Sequence, residues 1–140
     1  MSTRSVTLVF VIVFLLAGAS GFMPVMLYPV PADAPPLSMA MGYGLVVGLV
    51  PVNLLHNFLH VLFGLLGVAA YAGLFAPRAY VRMVAVSYSL LVILGLVPAT
   101  NTLFGLMPIY GYAIWLHLVL GVVAVQFGFL NFAEAPDRRK

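Results

Sequence analysis

Long apolar runs, separated by short breaks rich in proline and glycine, set the pattern of this chain. Four runs are long enough, at about 20 residues, to cross the hydrocarbon core of a bilayer as helices. They cover residues 6–27, 53–75, 79–97 and 112–132. The breaks differ in kind. Residues 28–36 hold Pro29, Pro31, Pro35 and Pro36, a density that excludes helix. Residues 37–51 are apolar but too short to span, and Gly42, Gly44 and Gly48 interrupt them. That piece is expected along the membrane surface, as a re-entrant segment, or as an extended segment packed over the bundle, where protein covers its backbone. Ala76-Pro77-Arg78 makes a tight turn, and 98–111, with Asn101, Pro108 and Gly111, makes a loop. The first run follows Arg4 and holds Ala17-Gly18-Ala19, which also fits a secretory signal and its cleavage site. Because the apolar run continues past that point, it is read as a retained span. The pattern predicts an all-α, integral membrane four-helix bundle in one domain over residues 1–140.

Polar positions inside the runs are few and ordered. In NLLHNFLHVLFGLLG, residues 53–67, His56 and His60 stand four apart, one turn of a helix, and Asn53, Asn57, Gly64 and Gly67 continue the same stripe. The third histidine, His117, lies 57 residues beyond His60 in LHLVLG, where the earlier copy reads LHVLFG, so Gly121 matches Gly64. Spans one and three align through Gly21 to Pro24 against Gly95 to Pro98 at an offset of 74, the difference of 17 falling in the longer first connection. Two helix pairs of the same orientation predict a parallel repeat about an axis along the membrane normal. His117 is then expected at the depth of His60.

Composition confirms the setting and closes several routes. The chain is 64% hydrophobic and only 6% charged, with a mean hydropathy of +1.18, whereas a soluble domain is about a quarter charged. Lipid is therefore the expected partner of its outer surface. With no cysteine, disulfides, thiolate metal sites and covalent c-type haem are excluded. The net charge of +3 gives no support to nucleic-acid binding. Arg4, Arg78, Arg82, Arg138, Arg139 and Lys140 all fall on one side of a four-span topology, so the positive-inside rule places both termini in the cytoplasm. Tyr28, Tyr110, Tyr112 and Trp115 then lie near the outer interface. A bacterial inner or photosynthetic membrane is the expected location.

Small residues at four-residue spacing let membrane helices approach closely. Asn53, Asn57, Gly64, Gly67, Gly121 and Ala124 are accordingly read as helix-packing positions, with spans two and four meeting inside the bundle. For the histidines the leading reading is hydrogen bonding to Asn53, Asn57, Tyr71 or backbone carbonyls, which would lock helices together. The second is a tetrapyrrole site. Haem iron or chlorophyll magnesium takes an axial imidazole, and a glycine one turn away makes room for a flat macrocycle. His60 and His117 are then the preferred ligands, ahead of His56. A transition-metal site from His56, His60 and His117 ranks third, because no carboxylate lies in the spans to join it. The same lack argues against an ion-coupled transporter, no catalytic residue is assigned, and an enzyme is not expected.

The run VPVNLLHNFLHVLFGLLG, a third span ending near Gly95-Leu96, the Asn101-containing loop and WLHLVLGVVAV together resemble the bacterial four-helix membrane proteins catalogued as domain of unknown function 4383. The resemblance covers about residues 6–132 and is sharpest in His-Asn-x-x-His-x-x-x-Gly. It implies four spans and weight on His56, Asn57, His60, Gly64, His117 and Gly121, and no established activity; the proline-rich 28–36 loop stands outside it. The functional expectation is an accessory or structural subunit with membrane-protein partners, the alternative being a chlorophyll- or haem-binding protein.

Overall fold

The structure, a computed structural model, describes residues 1–130. The end of the fourth expected span, residues 131–132, and the tail with Arg138, Arg139 and Lys140 lie outside the described residues. Four helices are long and apolar enough to cross a membrane: α1 (Thr3–Ser20), α2 (Leu54–Tyr71), α3 (Pro77–Leu96) and α4 (Tyr112–Val125), the last continued by a π-helical turn, Gln126–Leu130.

Local chemistry accounts for the helix ends. Ser2 caps α1, its hydroxyl accepting from the Ser5 N–H at 3.1 Å. The first span stops at Ser20 instead of reaching residue 27. Pro24 lacks the N–H that would continue the ladder and its ring opposes the carbonyl four residues back. Gly21 also lies so tightly on Asn57 that an added Cβ would overlap the amide group. The chain therefore leaves the helix axis through a 3-10 turn, Pro24–Met26. Asn53 caps α2, and Pro77 occupies the first turn of α3. The π-helical turn displaces the Gly128 carbonyl from the regular ladder, and the Nε atoms of Arg78 and Arg82 donate to it at 3.1 and 2.9 Å. Arg4 lies over the Tyr71 ring, 4.7 Å from its centroid. The three described arginines thus gather at one end of the bundle.

The opposite end holds what the all-helical expectation omitted. Residues 27–52 build a three-stranded antiparallel sheet: β1 (Leu27–Tyr28), β2 (Gly44–Val46) and β3 (Val50–Val52), in spatial order β1-β2-β3. Leu27 pairs with Val46, Gly44 with Val52 and Val46 with Val50. Pro51 is tolerated because β3 is an edge strand. Of the three arrangements expected for residues 37–51, the extended segment over the bundle is therefore the one adopted. The sheet is tied to the 98–111 loop. Ser38 and Met39 N–H groups both donate to the Gly105 carbonyl, and the Tyr43 hydroxyl donates to the Pro35 carbonyl while sharing a hydrogen bond with the Tyr110 hydroxyl. Burial, reinforced by that bond to Tyr43, pushes the Tyr110 phenol above its ordinary range and keeps it neutral.

Helix α1 packs along α2 and α3 along α4, and α1 crosses to α3. Val6, Phe10 and Phe14 of α1 meet Ala70 of α2, Tyr80, Val84 and Tyr88 of α3 and Ala124 of α4 in one core. Large apolar side chains such as Leu16, Leu65, Val86, Ile93 and Val122 point outward, as lipid-facing positions do.

Candidate metal centre in the bundle

Asn53 fixes the start of α2 and with it the first histidine. It is fully buried. Its Oδ1 accepts from the His56 N–H at 2.9 Å, and its Nδ2 donates to the Met39 and Leu106 carbonyls at 2.8 and 2.7 Å. One side chain thus joins α2, the segment before β2 and the 98–111 loop. Asn57 donates to the Gly21 carbonyl at 2.9 Å, pinning the end of α1 to α2. Neither asparagine bonds a histidine ring, and Tyr71 sits at the arginine end.

The small residues serve the helix pairs. A Cβ on Gly64 would meet the Leu15 side chain at 2.5 Å, and one on Gly67 would meet Val11 at 2.7 Å and the Tyr80 hydroxyl at 2.8 Å. Gly64 therefore turns to α1, and Gly67 to α1 and α3. Gly121 lies under Tyr88 and Ser89 of α3, where a Cβ would have 3.6 Å, and Ala124 is fully buried in the core.

The three histidines converge. His56 and His60 have ring centroids 4.6 Å apart, and His56 and His117 5.7 Å. One nitrogen from each can be chosen so that all three lie within 4.8 Å of one another. The rings are held from outside: Phe14 stacks on His60 at 6.0 Å and Tyr88 meets His117 edge-on at 5.0 Å. The Nδ1 atoms of His56, His60 and His117 are all buried without a hydrogen-bond partner. A buried polar atom left unpaired costs about 1–3 kcal/mol, so three in one place call for a common explanation.

Sequence reasoning did not find the neighbouring rings Phe14 and Tyr88, because aromatic residues of this kind line any core.

Two apolar cavities flank the triad. One, of about 240 Å³, lies between α1 and α4 under the sheet, walled by Val13, Phe14, Ala17, Val52, Leu116 and Leu120. The other, of about 260 Å³, lies toward α3, walled by Leu59, Phe63, Tyr88, Leu91 and Met107. All three histidines line both. Among the described residues the only acidic side chain is Asp33, exposed in the proline-rich loop.

Comparison with curated proteins and with solved structures gives no match. The family described as Domain of unknown function (DUF4383) matches residues 4–130, which takes in all of the four helices but Thr3, the sheet and all three histidines. With four apolar helices and a match over most of its length, the chain is a multi-pass membrane protein belonging to the DUF4383 family.

Proposed function

We propose that this protein holds a single transition-metal ion inside the membrane, on the imidazoles of His56, His60 and His117. The observation that carries the reading is the convergence of three imidazoles from two helices, one nitrogen of each within 4.8 Å of the others, each ring with a buried, unpartnered Nδ1. Imidazole suits zinc, copper, iron and nickel. In a tetrahedral site with metal–nitrogen bonds of about 2.0–2.1 Å the nitrogens sit about 3.3 Å apart. The triad, within 4.8 Å, must therefore close by up to about 1.5 Å, and the flanking cavities leave space beside the rings. Three protein ligands leave a fourth position open to an outside ligand.

A bare ion suits the site better than haem or chlorophyll. The glycines that were to make room for a macrocycle face Leu15 and Tyr88, and His56 stands against both of the other rings. Purification in mild detergent followed by elemental analysis tests the reading. About one equivalent of metal should bind after zinc loading, and the His56→Leu, His60→Leu and His117→Leu variants should each lose it. A full equivalent retained by all three variants would refute the site. The same preparation examines the accessory-subunit expectation, which a protein partner co-purifying in fixed ratio would support, and a Soret band would favour haem.

A further inference from the structure

A divalent ion on three neutral imidazoles would carry its full double charge into an apolar interior, and such a charge is strongly disfavoured without a compensating partner. No carboxylate among the described residues reaches it, since Asp33 lies exposed in the 28–36 loop. An anionic fourth ligand offsets part of that charge, and a carboxylate brought from outside competes for the position with hydroxide formed from bound water. The cavity between α1 and α4 indicates which kind of carboxylate. Apart from the histidines its walls are mostly aliphatic, and its lining includes Leu116 and Val119, which are 49% and 61% exposed on α4. Its volume of about 240 Å³ holds on the order of eight water-sized groups, enough for a polar head and the first carbons of a chain.

From this we infer that the centre binds the carboxylate of a long-chain fatty acid, which enters from the bilayer between α1 and α4, places one oxygen on the metal and leaves its tail in lipid. The inference rests on the metal reading above and specifies its outside ligand. Protein in nanodiscs of zwitterionic lipid, loaded with Co²⁺, reports its coordination through visible absorption. Titration with oleate should shift the bands at concentrations at least 100-fold below those needed with acetate, and methyl oleate should not shift them. Ala17→Phe, which narrows the cavity from the α1 side and alters no histidine, should still take up Co²⁺ and lose the preference for oleate. Equal responses to oleate and acetate, a response to the methyl ester, or an unchanged preference in Ala17→Phe would each overturn the inference while leaving the metal site in place. Failure of Co²⁺ to bind at all would overturn both.

Discussion

Replacing His60 with leucine separates a ligand from a structural histidine by the sign of its effect. The His60 Nδ1 is buried without a partner, and the ring lies among Phe14 and Phe63 and beside His56. Leucine fits that apolar setting and removes an unpaired polar atom whose burial costs about 1–3 kcal/mol. Some of this gain is offset by the lost stacking on Phe14, worth about 0.5–1.5 kcal/mol. In chelator, therefore, His60→Leu should equal or exceed the parent protein in stability, by up to about 2 kcal/mol. With zinc at 100 times its dissociation constant the parent gains about 2.7 kcal/mol, and the order should reverse. Unfolding by titration with a denaturing detergent, followed by circular dichroism with and without zinc, measures both. A variant less stable than the parent by 1 kcal/mol or more in chelator would show that His60 has a structural partner, and would refute the reasoning.

Three other expectations follow from the same packing. Asn53→Ala removes a helix cap worth about 1 kcal/mol and leaves the Met39 and Leu106 carbonyls unpaired at about 1 kcal/mol or more each. It should lower stability by about 3 kcal/mol, roughly a hundredfold in the unfolding equilibrium, and a loss below 1 kcal/mol in the same titration would contradict its bridging role. Gly67→Ala, which meets Val11 and the Tyr80 hydroxyl under 3 Å, should cost about 1–3 kcal/mol. Gly121→Ala, with 3.6 Å of room, should be neutral or gain up to about 1 kcal/mol of helix propensity, so equal effects would argue against this packing. Reporter fusions after Lys140 and within 98–111 should fall on opposite sides of the membrane, the tail cytoplasmic by the distribution of arginine and lysine, and a tail found outside would reject that orientation.

The helices were legible because a spanning segment must satisfy its own backbone and face lipid, which writes itself into the sequence as an unbroken apolar run. Their ends were harder. The apolar run past Ser20 hides the exit of α1, which Pro24 and the contact between Gly21 and Asn57 enforce. The sheet was only half legible. Short valine-rich strands beside glycine read as spacer until pairing supplies partners, and the Gly44 to Val52 register is a long-range event that no local pattern encodes. At the site, the stripe His56-x-x-x-His60 was plain from helical periodicity. The place of His56 between its two companions was not, since it depends on how α4 is set against α2 by Asn53, the Leu106 carbonyl and the 98–111 loop. Neither were the roles of Asn53 and Asn57, whose carbonyl partners come from segments 14 to 53 residues away.

The central claim, that three imidazoles hold one metal ion within the bundle, is met most directly by X-ray absorption at the zinc edge on the zinc-loaded protein. A first shell of three imidazole nitrogens at about 2.0–2.1 Å with one oxygen ligand beside them is the result the account predicts. A shell built from oxygen alone, or one unchanged in the His117→Leu variant, would contradict it.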